Sequence, residues 1–222
     1  MKKLIIFDLD GTLLDTLGDL KNAVNYALNF NKWPQKSKEE VRQAIGNGVA
    51  KLIQRTVPNG ISKEKYESAL KTFTNYYESH YDVETKPYPG LLEMLKQLKR
   101  DGFLLAVCTN KIQVVANYLV SHFFSGLFDY VQGDEIGIPK KPEPYMIDKV
   151  LNHFSLTSRE AVYVGDTEVD QQTAMNSHLE YALVEYGYRT KEELSILCPN
   201  SRTIVDSKEL YSWLKTFQKN RT

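Results

Sequence analysis

The chain has 222 residues, and its 28 Lys and Arg are matched by 28 Asp and Glu, so the formal net charge is zero. That length can bury a full core, with room for one domain plus a smaller one. The charge balance gives neither the basic footprint of a nucleic-acid binder nor a polybasic membrane patch, and no stretch approaches the roughly 20 apolar residues of a membrane span.

The chain opens with Met1-Lys2-Lys3 and the apolar run Leu4, Ile5, Ile6, Phe7. This resembles a secretory leader only briefly, because Asp8 ends the run too early. The run reads instead as a strand that delivers Asp8 and Asp10 to its end. Side chains alternate along an extended chain, so the two carboxylates share a side while Leu9 points away. Gly11 permits a turn and Thr12 supplies a hydroxyl just beyond it.

From about Thr16 to Lys86 the pattern is helical, with no convincing strand. Leu17, Leu20, Val24, Ala27 and Leu28 define one amphipathic helix. Ser37 with Glu40 forms a capping-box signature for a second. A third helix is predicted from Gly48 to Pro58, and a fourth from Ser62 to Tyr77. Tyr66, Phe73, Tyr76, Tyr77 and Tyr81 fall largely on one helical face and read as packing within this unit. Pro87, Tyr88, Pro89 and Gly90 then return the chain to the core.

Beyond Gly90 helices and strands alternate regularly. Predicted helices cover 91–100, 112–123, 145–153, 167–177, 191–197 and 208–217. Predicted strands cover 103–108, 128–131, 161–164, 181–184 and 203–205, and the polar tail from Lys219 to Thr222 is expected to fray. Short runs that are apolar throughout belong to a parallel sheet buried on both faces, which makes this an α/β doubly wound domain. In such sheets ligands bind beyond the carboxyl ends of the strands. There the sequence places Thr109 after the run 103–107, and Asp166 and Asp170 after the run 161–164. Lys141 heads the proline-fixed stretch Lys141-Pro142-Glu143-Pro144 and offers a positioned cation. Cys108 reads as a small core residue. Cys108 and Cys198 lie too far apart in sequence to suggest a disulfide framework, so a reducing cytoplasm is the expected setting.

Taken together and in this order, DLDGTLLD (8–15), CTN (108–110), KPEP (141–144) and GDTEVD (165–170) resemble the signature motifs of the haloacid dehalogenase superfamily, in its phosphatase branch. The resemblance implies a Rossmann-like catalytic core of residues 1–15 and 87–222, with 16–86 as an inserted helical cap able to close over substrate. It implies that Asp8 is the nucleophile of an aspartyl-phosphate mechanism and Asp10 the general acid and base. It further implies Mg²⁺ as cofactor, held by Asp8, the backbone carbonyl of Asp10, and Asp166, with Asp170 supporting its water shell. Leu9, Thr109, Asn110 and Lys141 form the implied phosphate cradle.

The second carboxylate, Asp10, argues for phosphoryl chemistry over carbon–halogen cleavage, because a departing halide needs no protonation. Gly165-Asp166 stands where mutase relatives usually carry Glu-Asp. Ile45-Gly46-Asn47-Gly48 with Leu52 and Arg55, and Tyr186-Gly187-Tyr188, resemble the phosphoglycolate phosphatase branch. Gly46, Asn47 and Gly48 either face a substrate anion or merely break two helices, and Arg55 either pairs with a carboxylate or is a solvated helix residue. The expected partner is a small phosphorylated metabolite, with 2-phosphoglycolate favoured. Pyrophosphate, a nucleotide or a sugar phosphate, a mutase, and a non-enzymatic phosphoacceptor stand as alternatives. The sequence gives no oligomeric state.

Overall fold

The computed structural model describes residues 3–217, so the tail expected to fray and the first two residues of the leader-like segment lie outside them. The chain forms two compact units, one of them Asp15–Lys86 and the other made of the residues on either side. Among the described residues no helix is long and apolar enough to cross a membrane.

The chain begins with β1 (Leu4–Phe7) and the two-residue strand β2 (Leu14–Asp15), which lies just before the region read as helical and for which the sequence suggests no strand. Four helices follow: α1 (Leu17–Phe30), α2 (Lys38–Ala44), α3 (Val49–Thr56) and α4 (Lys63–Tyr77). Next come β3 (Lys86–Pro87), α5 (Leu91–Arg100), β4 (Leu104–Ile112), α6 (Gln113–Phe124), β5 (Tyr130–Asp134) and α7 (Tyr145–His153). The chain closes with β6 (Ala161–Gly165), α8 (Glu168–Asn176), β7 (Glu180–Val184), α9 (Lys191–Leu197), β8 (Thr203–Ile204) and α10 (Ser207–Thr216).

The core sheet has six parallel strands in the order β5-β4-β1-β6-β7-β8. Every residue of β1 is fully buried, as a central strand covered on both faces requires. Leu4 and Ile6 share a cluster with Met146, Ile147 and Val150 of α7. Phe7 meets Phe128 edge to face at 6.1 Å. In α5 the spacing Leu91, Met94, Leu95, Leu98 puts one apolar face against the core, and all four are buried. The order reverses at β1, which lies between β4 and β6, so the carboxyl end of β1 is the topological switch point of the sheet.

The inserted unit is held by its own packing. Ser37 and Glu40 form the anticipated capping box at the start of α2, worth about 1 kcal/mol. Phe73 and Tyr77 are buried and stack at 5.4 Å. Tyr76 instead stacks on Tyr26 of α1 at 4.2 Å, and Tyr66 donates to the Ala50 carbonyl of α3. The α4 aromatics thus pack along more than one face of their helix. Buried Asp19 accepts from the main-chain amides of Glu84 and Thr85 and from the Thr85 hydroxyl, tying the end of this unit to its first helix.

Candidate active site

Asp8 leaves β1 with its amide donating to the Val164 carbonyl at 2.9 Å, and a tight turn follows. The amides of Leu13 and Leu14 both donate to the Leu9 carbonyl, and Gly11 takes a φ of +85°. A side chain at Gly11 would be strained at that φ, and its Cβ would also lie 2.3 Å from Asp166 Oδ2. The turn can therefore press against Asp166 only with glycine at this position. The Leu9 side chain is fully buried, so any contact it makes with substrate comes from its main chain.

Asp166 follows directly on β6 and is fully buried. Thr12 Oγ1 donates to its Oδ1 at 3.0 Å and the Tyr188 amide to its Oδ2 at 2.7 Å. Gly187 lets the 186–188 segment come this close, since a Cβ there would sit 2.4 Å from both Asp166 Cβ and the Gly11 carbonyl oxygen. Arg189 anchors the same segment through a bidentate pair with Glu168 at the start of α8.

Asp170 is saturated with hydrogen bonds. Its Oδ2 accepts from the amides of Asp166 and Thr167 and from the Thr167 hydroxyl, closing a capping box at α8. Its Oδ1 accepts from Lys141 Nζ at 2.8 Å and from the Tyr163 hydroxyl at 3.0 Å. Burial opposes ionisation of Asp170, but Lys141 and these donors hold its carboxyl below the usual range. The first-turn acid and the site carboxylate are thus one residue.

Lys141 is buried, whereas neighbouring Lys140 is a partly exposed partner of Asp134. Its Nζ lies 2.9 Å from Asp8 Oδ1 and donates to the Tyr163 hydroxyl at 2.9 Å. Burial works against that charge, yet Asp170 and then Asp8 override it and hold the ammonium well above the ordinary lysine range. The approach to Asp8 is an ion pair not aligned as a hydrogen bond, so Asp8 Oδ1 is a buried oxygen without a hydrogen-bond partner. Burial pushes the Asp8 carboxyl up to about 7, with Lys141 pulling it down and Asp170 pushing it further up. Asp166 is raised well above its ordinary value by burial, then by Asp170 and Asp8.

Ligand oxygens of Asp8, Asp166 and Asp170 lie within 4.8 Å of one another. Three buried carboxylates at that spacing, one with an oxygen lacking a hydrogen-bond partner, are a hard-oxygen donor set that fits a divalent cation. The Asp10 carboxyl is not one of these three, and its Oδ1 accepts from Lys111 Nζ at 2.8 Å.

On β4, buried Thr109 accepts at Oγ1 from the Lys111 amide. The Asn110 side chain clasps the main chain of Lys141 in both directions, amide to carbonyl at 3.0 Å and amide to side-chain oxygen at 2.9 Å. The core thus gathers Asp8, Asp10, Thr109, Asn110, Lys141, Asp166 and Asp170 on three neighbouring strand ends and the loop before α7. Gly46, Asn47, Gly48 and Arg55 belong to the inserted unit. There the Arg55 guanidinium donates to the Ala44 carbonyl and to Asn47 Oδ1, so it braces the 46–48 loop rather than being merely solvated.

Sequence reasoning did not single out Lys111 or Tyr163. Alternation places Lys111 on the same side as Thr109, which is the signal that could have found it. The Tyr163 phenol is held protonated by burial, then by Asp170 and Asp8, and bridges Lys141, Asp170 and the Cys108 carbonyl. The Cys108 thiol is pushed up to about 12 by burial, as suits a core residue.

The haloacid dehalogenase-like hydrolase family matches residues 5–184. The phosphoglycolate phosphatase of Aliivibrio fischeri is 32% identical over 200 residues, covering 87% of this chain and 88% of that protein. The phosphoglycolate phosphatase of Cereibacter sphaeroides is 34% identical over 192 residues, 83% of this chain and 86% of its own. A crystal structure from Lactobacillus delbrueckii subsp. bulgaricus superposes with a TM-score of 0.91 at 30% identity, over 96% of this chain and 99% of its own. The chain belongs to the haloacid dehalogenase-like hydrolases. Within that family it is a phosphatase.

Proposed function

We propose that this phosphatase hydrolyses 2-phosphoglycolate to glycolate and phosphate, through an aspartyl-phosphate formed on Asp8. The observation that carries the mechanism is Asp8 itself, a buried carboxylate with an oxygen lacking a hydrogen-bond partner, beside the fixed cation Lys141. Asp8 attacks phosphorus while Asp10 protonates the departing oxygen, and Asp10 then takes a proton from the water that cleaves the acyl phosphate. Thr109, the main-chain amides of Leu9 and Asn110, and Lys141 hold the transferring oxygens. Tyr163 and Asp170 keep the Lys141 ammonium against Asp8, and the Asn110 side chain fixes its main chain.

Mg²⁺ is the proposed cofactor, with Asp8, the Asp10 carbonyl and Asp166 as ligands and Asp170 in support. When bound, it offsets the mutual repulsion of these carboxylates and the phosphoryl group. The curated relatives named as phosphoglycolate phosphatases support the choice of substrate. The inserted unit is assigned the role of a cap that helps choose it, with Arg55 bracing the Gly46–Gly48 loop. A reducing cytoplasm suits the two buried free cysteines.

The test is phosphate release from 2-phosphoglycolate, pyrophosphate, nucleoside monophosphates and hexose phosphates, with Mg²⁺ and with chelator. Magnesium-dependent release led by 2-phosphoglycolate is expected. A different leading ester would overturn the substrate, and release indifferent to chelator would overturn the cofactor.

The carboxylate cluster also makes metal-free stability depend on pH. Asp8 and Asp166 have folded pKa values raised above their unfolded values. Their contribution is fully present below the unfolded value near 4 and is lost as pH rises through about 7 for Asp8. Each such group costs at most about 1.4 kcal/mol per pH unit within its window. Thermal melts in chelator should therefore fall between pH 5 and 8, and added Mg²⁺ should raise the melting temperature increasingly as pH rises. In Asp166→Asn the decline should be shallower and the response to Mg²⁺ lost. Parallel melts with and without Mg²⁺ in the unmodified protein would contradict the assigned site.

A further inference from the structure

Lys111 is a second buried cation of the site, with a side chain only 5% exposed. Its Nζ is 2.8 Å from Asp10 Oδ1, and its main-chain N–H donates a hydrogen bond to Thr109 Oγ1. The two cations serve different parts of the site. Lys141 meets Asp8 and Asp170, the nucleophile and its support, whereas Lys111 meets Asp10. Burying an ammonium is costly, so a lysine held here must answer to an anion.

We infer that Lys111 is a specificity-determining residue that recognises a carboxylate carried on the leaving alcohol, favouring phosphate esters of 2-hydroxy acids over esters of neutral alcohols. This rests on the reading above, in which Asp10 donates its proton to the ester oxygen. In a 2-phospho acid the carboxylate is attached to the carbon that bears that oxygen. With Asp10 hydrogen-bonded to the ester oxygen, the Lys111 ammonium that pairs with Asp10 Oδ1 is the buried cation on the leaving-group side of the site. Charge-assisted pairing of this kind discriminates strongly against an ester that lacks the anion, because the buried cation then loses one of its partners.

The experiment compares kcat/KM for 2-phosphoglycolate and for ethyl phosphate, an ester of similar size without the carboxylate, in the unmodified protein, Lys111→Met and Lys111→Arg. The unmodified protein should prefer 2-phosphoglycolate. Lys111→Met should shrink that ratio by about 10–100-fold, mainly through KM, while Lys111→Arg keeps most of it. Lys111→Gln, which retains a donor for Asp10 without the charge, is the second variant should Lys111→Met not fold, and the same collapse is expected. An equal loss on both esters would show that Lys111 acts only through Asp10 and would overturn the inference. A preference that survives in Lys111→Met overturns it while leaving the substrate reading intact. An unmodified protein without any preference overturns both.

Discussion

Asp8→Asn should leave a folded protein whose phosphate release falls by about 10⁴-fold or more, because the proposed nucleophile is gone. The amide cannot form the acyl phosphate, and the neighbouring carboxylates are already engaged, Asp10 by Lys111. Asp170 is occupied by Lys141, Tyr163, Thr167 and two main-chain amides, and Asp166 is fixed by Thr12 and Tyr188. Folding should survive for a physical reason. Lys141 keeps Asp170 and the Tyr163 hydroxyl as partners, and a buried carboxyl pushed up to about 7 is replaced by a neutral group. Metal-free Asp8→Asn should therefore melt no lower than the unmodified protein at pH 8. Steady-state phosphate release and a thermal melt check both halves, and retained turnover would show that the nucleophile lies elsewhere.

Asp10→Asn should slow turnover by roughly 10²–10⁴-fold through loss of general acid and base catalysis. The two half-reactions respond differently. An ester with a good leaving group, such as p-nitrophenyl phosphate, needs little protonation, so Asp8 should still be phosphorylated. The water that cleaves the intermediate still lacks its base, so a burst of p-nitrophenol followed by a slow steady rate is expected. The variant also leaves buried Lys111 facing an amide instead of a carboxylate, which calls for a stability check alongside the kinetics. Unchanged turnover would remove Asp10 from the chemistry.

The sequence made the architecture legible because its signals were local. The runs 4–7 and 161–164 are apolar throughout, and both became fully buried central strands. The expected end of β4 was less accurate. The prediction stopped at Cys108, where the residues turn polar, but the strand continues to Ile112 with a shift in register. Across that shift the Gln113 side chain bonds the Gly133 amide and the Val131 carbonyl, a long-range arrangement with no local pattern behind it.

The site divides along the same line. Asp8, Asp10, Asp166 and Asp170 were visible because acids immediately after buried strands are unusual. The two-way clasp between Asn110 and Lys141 joins residues 31 apart in sequence, and the Tyr163 hydroxyl reaches across to Lys141, so neither was visible. Lys111 was passed over because lysine ordinarily belongs to the surface, although the alternation that paired Asp8 with Asp10 also pairs it with Thr109. Arg55 was named as a candidate, but its bracing role escaped for a related reason: its partners on the preceding loop are set by the fold of the inserted unit and not by spacing along a helix.

In the proposed mechanism phosphate passes through Asp8. Its most direct test is to mix Asp10→Asn with p-nitrophenyl phosphate and Mg²⁺, quench with borohydride to reduce any acyl phosphate, and map the modified position by peptide mass spectrometry. Reduction of the Asp8 side chain to the alcohol, absent without substrate, is the predicted result. An unmodified Asp8 alongside a measured burst of p-nitrophenol, or reduction at another carboxylate, would contradict the account.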